Sequence, residues 1–300
     1  MASLSDQGKL RELFDRMTLG IVRSLEKRPG VTDVRLLDRK PAESGIIDAW
    51  EQKNMCILPD DVKSFYQTTN GLLLQWCIKF GGSVLPLGKM EINPVASLVP
   101  LTKASTTMCD NPSLADIDSD TDEQDENGHV KPHFDSRSKL FELDPCDGFG
   151  KVCLVYKDVK AGIVKPSAEP EVWLLDRALE WSFISNTFSD YFRMMIMHLG
   201  LPLWQYIFSD AGISPETKQW FNLYAPVRLA VDAEGKSNPA PQQANEVSTV
   251  TNKLDINKLF KGKSDKHRAR PPQQKKPATS RPQNVSQRLA STHSTRGITR

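Results

Sequence analysis

Cysteine is scarce in this sequence, and what there is does not pair. Five cysteines (Cys56, Cys77, Cys109, Cys146 and Cys153) in 300 residues are an odd number without a C-x-x-C pair, which does not suit a disulfide framework. The start MASLSDQGKLREL contains no secretory apolar core, so a reducing, intracellular compartment is expected. Long apolar runs are missing as well. Even YFRMMIMHLGLPLW is interrupted by Arg193, His198 and Pro202, far short of the roughly eighteen apolar residues of a spanning helix. A soluble protein without membrane attachment is therefore expected.

Catalytic signatures are equally thin. None of the five histidines, His129, His133, His198, His267 and His293, stands at metal-ligand spacing from a Cys, His or carboxylate on an expected element. No G-x-S-x-G elbow occurs. GSVLPLGKM separates Gly82 from Gly88 by five residues, holds a proline, and has Met90 where a phosphate loop needs a hydroxyl for magnesium. DGFGK has two glycines and sits in an expected hairpin turn. The sequence thus names no catalytic, cofactor-binding or metal residue, and no cofactor.

What is present is an uneven charge. The net charge of +2 is a cancellation: residues 261–300 carry eleven Lys/Arg and one acid, whereas residues 110–126 carry eight acids and no base. The remainder is neutral. Such polar stretches usually stay solvated, so 109–131 reads as a mobile acidic insertion and 261–300 as a disordered basic tail. His129 and His133 border the insertion, where Asp122 to Glu126 would attract a divalent ion only weakly.

The body between these stretches is strongly patterned. Leu10, Leu13, Phe14, Met17, Ile21, Val22 and Leu25 share one helical face, which Arg28-Pro29-Gly30 ends. VTDVRLLD reads as a strand, and PAESGIIDAWEQKN as a short helix with Ile46, Ile47 and Trp50 inward. In LPDDVKSFYQTTNGLLLQW, Pro59 suits a first helical position and Asp60 and Asp61 suit the positive end of the helix dipole. Val62, Phe65 and Tyr66 give its buried side, and Asn70-Gly71 a left-handed stop before the strand LLLQWCIKF. SVLPLGKMEIN reads as short strand material broken by Pro86 and Gly88. SKLFELD and KVCLVYK form a hairpin that would set Cys146 and Cys153 facing each other, and AEPEVWLLDR adds a strand.

Helices close the body. NTFSDYFRMMIMHLG ends at Gly200, PLWQYIFSDAG follows, and SPETKQWFNLYAP opens with Ser214 as cap and Pro215 in the first turn. Strands in the middle with helices at both ends predict an α+β domain over 1–230, with a central mixed or antiparallel sheet flanked by N- and C-terminal helices. A linker spans 231–246. Residues 247–260 could form one apolar helical face through Val247, Val250, Leu254, Leu259 and Phe260, either docking on a partner or covering the domain itself.

Two sets of residues are candidates for contact. Trp204, Tyr206, Trp220 and Tyr224, with Leu254, Leu259 and Phe260, suit a protein interface. Lys261, Lys263, Lys266, Arg268, Arg270, Lys275, Lys276 and Arg281 supply mobile positive charge for an acidic surface. Nucleic acid is disfavoured because no aromatic follows Phe260 to stack on bases; a nuclear or nucleic-acid adaptor read through KKPATSRPQ stays as the alternative. A solubilising tail without a target is the plainest reading of all.

A resemblance sharpens this. Trp50-Glu51, Leu58-Pro59-Asp60-Asp61-Val62-Lys63, Phe65-Tyr66, Asn70-Gly71 and Pro86-Leu87-Gly88 resemble the core of the SUKH superfamily, which includes bacterial immunity proteins and fungal cell-wall synthesis regulators. PHFDSRSKLFELD, GKVCLVYK, WLLDRALEW, HLGLPLWQY, GISPETKQWF and NKLDINKLFK are similar, in one order across 10–262, to the tubulin polyglutamylase subunits of that superfamily. The resemblance implies a non-catalytic subunit of a ligase complex. ATP-dependent addition of glutamates to tubulin tails would belong to a tubulin-tyrosine-ligase-like partner. It also implies other complex subunits and tubulin as partners, and a place in the cytoplasm on microtubules, the centrosome with its satellites, and the cilium base.

Overall fold

The apolar stripe from Leu10 to Leu25 becomes the inner face of helix α1 (Leu4–Glu26), burying Phe14, Ile21 and Leu25. The computed structural model describes residues 4–101, 114, 118, 121–157 and 169–237, which hold six α-helices and seven strands. After Arg28-Pro29-Gly30 comes β1 (Val31–Leu36), then α2 (Ser44–Asn54). Of the three residues expected inward on α2, Ile47 and Trp50 are buried but Ile46 is exposed, because consecutive residues lie about 100° apart around a helix. Helix α3 (Asp60–Tyr66) follows Pro59 and buries Val62, Phe65 and Tyr66. Asp61 accepts from the Val62 N–H and from the Ser189 N–H, each at 2.8 Å, tying this helix start to a distant one. The helix stops at Tyr66, so Asn70-Gly71 does not cap it. Instead the Asn70 side chain accepts from the Val95 N–H at 3.0 Å and holds a neighbouring loop.

Strand β2 (Leu72–Phe80) runs between β1 and β3 (Ser83–Ile92) in an antiparallel sheet. The expectation that Pro86 and Gly88 break this segment is corrected: β3 is one ten-residue strand, with a register irregularity opposite Trp76 and Cys77. Proline is tolerated because β3 is an outer strand. Gly88 is needed because it pairs with Trp76, and a Cβ there would lie 1.9 Å from the indole Nε1. That indole is fully buried and donates to the Leu199 carbonyl at 2.9 Å. Gly81 and Gly82, with φ of 57° and 85°, make the two-residue hairpin turn.

A second antiparallel sheet contains β4 (Lys139–Asp144), β5 (Gly150–Tyr156), β6 (Glu171–Asp176) and β7 (Trp181–Ser185), in that order. The α+β class and the antiparallel pairing match the pattern, with the strands shared between two sheets. β7 was not legible; its turn is held by Asp176, which accepts from the Ala178 and Glu180 N–H groups at 2.8 and 2.9 Å. From Val152 to Tyr156 the β5 run is apolar and buried, because both faces are covered. Val152, Leu154 and Tyr156 join the main core, whereas Cys153 and Val155 join a second cluster with Phe134, Trp173 and Trp181. Cys146 belongs to the main core, so it and Cys153 lie in different clusters instead of facing each other. Both are free thiols, and burial pushes both upward in pKa, away from reactivity.

The described part of the acidic stretch takes a definite shape. Gln124 bridges to Val130, and Asp125 accepts from the Asn127 and His129 N–H groups at 2.9 and 2.8 Å. Asp118 accepts from the Phe134 N–H at 2.7 Å, and His133 lies between Asp118 and Asp122 at 3.3 and 2.9 Å. Phe134 tilts over Trp181, and His129 stacks on Phe183 at 3.8 Å. Carboxylates that composition assigns to water thus pin the cover of the second sheet face.

Helix α4 (Phe188–Met197) starts at Thr187, whose side chain accepts from the Asp190 N–H. Phe14 meets Phe65, Phe188 and Phe192 with ring centroids 5.6, 5.8 and 5.1 Å away. The next expected helix is a 3-10 turn, Trp204–Phe208. Helix α5 (Pro215–Tyr224) has the expected Ser214 cap, and α6 (Pro226–Ser237) continues past the expected linker start at 231. Residues 247–260 and 261–300 lie outside the described residues.

Candidate interaction surface

The corner built by the end of α4, the 3-10 turn, α5 and α6 gathers four aromatics expected to meet a partner, and they divide. Trp204 and Tyr224 are buried and belong to the core, which corrects their assignment to a partner surface. Trp204 stacks on the His198 ring at 4.9 Å and 16°, and Tyr224 packs edge-on to Trp76. Arg28 donates to the Tyr224 carbonyl, so α5 is fastened to the end of α1. The large ring was the misleading signal, because an aromatic with a polar edge suits a core as well as an interface.

His198 explains why α6 persists. It is fully buried; its Nδ1 faces the Met194 carbonyl at 2.6 Å and its Nε2 the Asp232 carboxylate at 2.9 Å. Burial alone would raise the Asp232 carboxyl, but hydrogen bonds and charge from His198 and Arg228 outweigh it and hold the group below its ordinary range. No local spacing could reveal a pair thirty-four residues apart.

Trp220 and Tyr206 remain half-exposed. Tyr206 donates to the Phe149 carbonyl. Trp220 meets Phe80 edge to face at 6.3 Å, and Phe80, at the tip of the β2–β3 hairpin, is 61% exposed. Leu223, three residues along α5 from Trp220, is 63% exposed, and Val227, at the start of α6, is 77% exposed. Phe80, Trp220, Leu223 and Val227 give this corner an exposed apolar character of the kind that marks contact surfaces. Phe80, Leu223 and Val227 were missed. An aromatic beside a Gly-Gly turn, where nothing in the hairpin can cover it, is the signal that could have found the first. Leu254, Leu259, Phe260 and the basic positions from Lys261 to Arg281 lie outside the described residues.

A polar centre lies deeper. Asp144 accepts from the Cys146 N–H at 2.8 Å, the Tyr191 hydroxyl at 2.7 Å and the Gln205 amide at 3.1 Å, beside a cavity of about 60 Å³. Burial pushes its carboxyl up to about 6 against the opposing pull of those hydrogen bonds. A carboxyl raised on folding contributes stability that is fully present below its unfolded value and lost as pH rises through about 6. The two-unit rise corresponds to about 3 kcal/mol. Urea unfolding of the wild type and Asp144→Asn between pH 4 and 7.5 should show the wild type losing about that much relative to the variant. A pH-independent difference would mean that this carboxyl does not titrate with folding.

Among the described residues no group of three or more His, Cys, Asp or Glu gathers as metal ligands, and no helix is long and apolar enough to cross a membrane. His129 and His133 are engaged by Asp125, Asp118 and Asp122.

Comparison with known proteins adds to this geometry. Residues 41–194 match the model of the SMI1/KNR4 family (SUKH-1). Tubulin polyglutamylase complex subunit 2 of Rattus norvegicus is 45% identical over 253 residues, covering 84% of this chain and 81% of the relative. The Homo sapiens protein of the same name is 45% identical over 264 residues, covering 88% and 84%.

Proposed function

The chain belongs to the SMI1/KNR4 (SUKH-1) family, and from that premise we propose that it is a non-catalytic scaffold subunit of a tubulin polyglutamylase complex. The observation that carries this reading is the 45% identity to proteins of that name over 84% and 88% of the chain. That span reaches well beyond the residues matched by the family model, and so takes in helices that build the exposed corner. In this reading the ATP-dependent addition of glutamates belongs to a tubulin-tyrosine-ligase-like partner. The present chain supplies surfaces. Phe80, Trp220, Leu223 and Val227 meet another subunit, since apolar anchors beside an aromatic suit such contacts.

The eleven Lys/Arg of residues 261–300 meet the acidic tails of tubulin through screened attraction, within a Debye length of about 8 Å in physiological salt. The site of action is the cytoplasmic microtubule system, including the centrosome and the base of the cilium. The buried chemistry agrees with a structural role: Asp144, His198, Asp232 and the described buried thiols all serve packing or internal hydrogen bonds.

The test is affinity purification of the full chain from ciliated cells, followed by a glutamylation assay on tubulin. Recovery of a tubulin ligase whose activity falls without this chain is expected. Leu223→Glu with Val227→Glu should lower that recovery at least fivefold while leaving the fold intact, since both side chains are exposed. Purification free of ligase and tubulin would refute the reading.

A further inference from the structure

We propose that the outer edge of β7 is a docking cleft for an extended, basic peptide segment of a partner protein, held by strand addition. β7 is the last strand of its sheet and pairs with β6. An antiparallel strand points alternate N–H and C=O groups away from its partner, and among the described residues no backbone bond meets those of β7. Such an edge is a template for another chain, and proteins ordinarily blunt it with charge, proline or a cover.

The other three outer strands are blunted. β1 carries Asp33 and Arg35, and β3 carries Pro86. β4 is met from outside by Val99 and Pro100, through the Glu142 N–H to Val99 carbonyl bond and the Pro100–Phe141 bridge. β7 reads Trp-Ser-Phe-Ile-Ser, with neither charge nor proline.

A cleft of about 650 Å³ runs along this edge, within the range of sites that hold a ligand. Its walls include four consecutive residues, Trp181 to Ile184. Neighbours in a strand point to opposite faces, so a cleft that touches all four meets the strand's edge and not one face. Phe208 of the 3-10 turn and Val231 of α6 also line the cleft; Val231 is 49% exposed and offers an apolar contact.

Charge selects the occupant. Of the ionised groups lining the cleft, Asp125 is engaged by His129, Asp232 by His198 and Arg228, and Lys131 by Glu123 and Glu180. Glu126 and Asp210 also line it, are exposed, and enter no ion pair among the described residues. The rim therefore carries two carboxylates open to a cationic partner, above an apolar floor and an unpaired backbone edge. An extended segment with basic side chains alternating with β-branched ones satisfies all three. This assignment does not depend on which complex the chain serves.

The test uses the purified full chain and two fluorescent dodecapeptides, one alternating valine with arginine and one alternating valine with glutamate. Anisotropy should show the arginine peptide binding at least tenfold more tightly than the glutamate peptide. Glu126→Lys with Asp210→Lys should weaken it at least tenfold, and so should Val231→Asp, all at exposed positions. Hydrogen exchange of the β7 amides should slow on addition of the arginine peptide, a response that surface charge alone would not give. Equal binding of the two peptides, binding indifferent to the cleft variants, or unchanged β7 exchange would each overturn the proposal. Self-association of the full chain that the same variants abolish would assign the cleft to another copy or to the chain's own C-terminal residues, and would overturn it too.

Discussion

Gly88→Ala should remove about 4 kcal/mol of folding stability, an effect out of proportion to one methyl group. The added Cβ would sit 1.9 Å from Nε1 and 2.2 Å from Cε2 of Trp76, so the indole has to move. Trp76 is fully buried, and overpacking of a tight core commonly costs about 1–3 kcal/mol. Displacing the ring also breaks its hydrogen bond to Leu199 and leaves a buried carbonyl unmet, worth about 1–3 kcal/mol more. The sum is a large share of the roughly 5–15 kcal/mol of an ordinary domain. Gly20→Ala is the control: it lies inside α1 with nothing within 4 Å of its Cβ position, and should stabilise by about 1 kcal/mol through helix propensity. Urea unfolding of the two variants measures both. If Gly88→Ala unfolds at the wild-type midpoint, the indole does not depend on the missing side chain.

His198→Ala should cost about 3–5 kcal/mol, the usual range when a large ring is deleted from a core. The ring is fully buried between Trp204 and Asp232, so its loss leaves a void as well as a carboxylate deprived of one partner. The damage should be directional, because His198 is the link from the end of α4 to α6: amides of 226–237 should exchange faster before the sheets respond. The Asp232 carboxyl is depressed in the folded protein. Its contribution is therefore present above its unfolded value and lost as pH falls through its folded one. The wild type should approach the variant in stability only in acid. Uniform acceleration of exchange across the chain would refute the assignment of this pair to α6.

How much of this was legible depended on the range of the forces involved. The α1 stripe, the buried side of α3 and the Ser214 cap were readable because their partners lie within a turn or two. The continuity of β3 was not, since Pro86 and Gly88 are breakers by local rule and become acceptable only beside an open edge and across from Trp76. Asp118 and Asp125 looked solvated because their histidine and backbone partners cannot be seen in composition. Trp204 looked like an anchor for a partner until His198 and Tyr191 closed around it. Of the candidate contact residues, Trp220 and Tyr206 keep exposed surface, and the neighbours that make Trp220 interesting come from a hairpin some 140 residues away in sequence.

The aromatic knot around Phe14 bears on where this protein can be cut. Phe65, Phe188 and Phe192 lie within the stretch 41–194 matched by the family model, but Phe14, which sits among them, does not, and neither does Phe221, also fully buried. Arg28 and Tyr224, joined by a hydrogen bond, lie beyond opposite limits of that stretch. A gene fragment trimmed to those limits would encode a polypeptide with this aromatic cluster open to water on one side. The family segment in this protein is therefore not a detachable cassette. Anyone grafting it, swapping it between relatives or expressing it alone must carry the flanking helices with it, from the first helix through residue 237, as one inheritance.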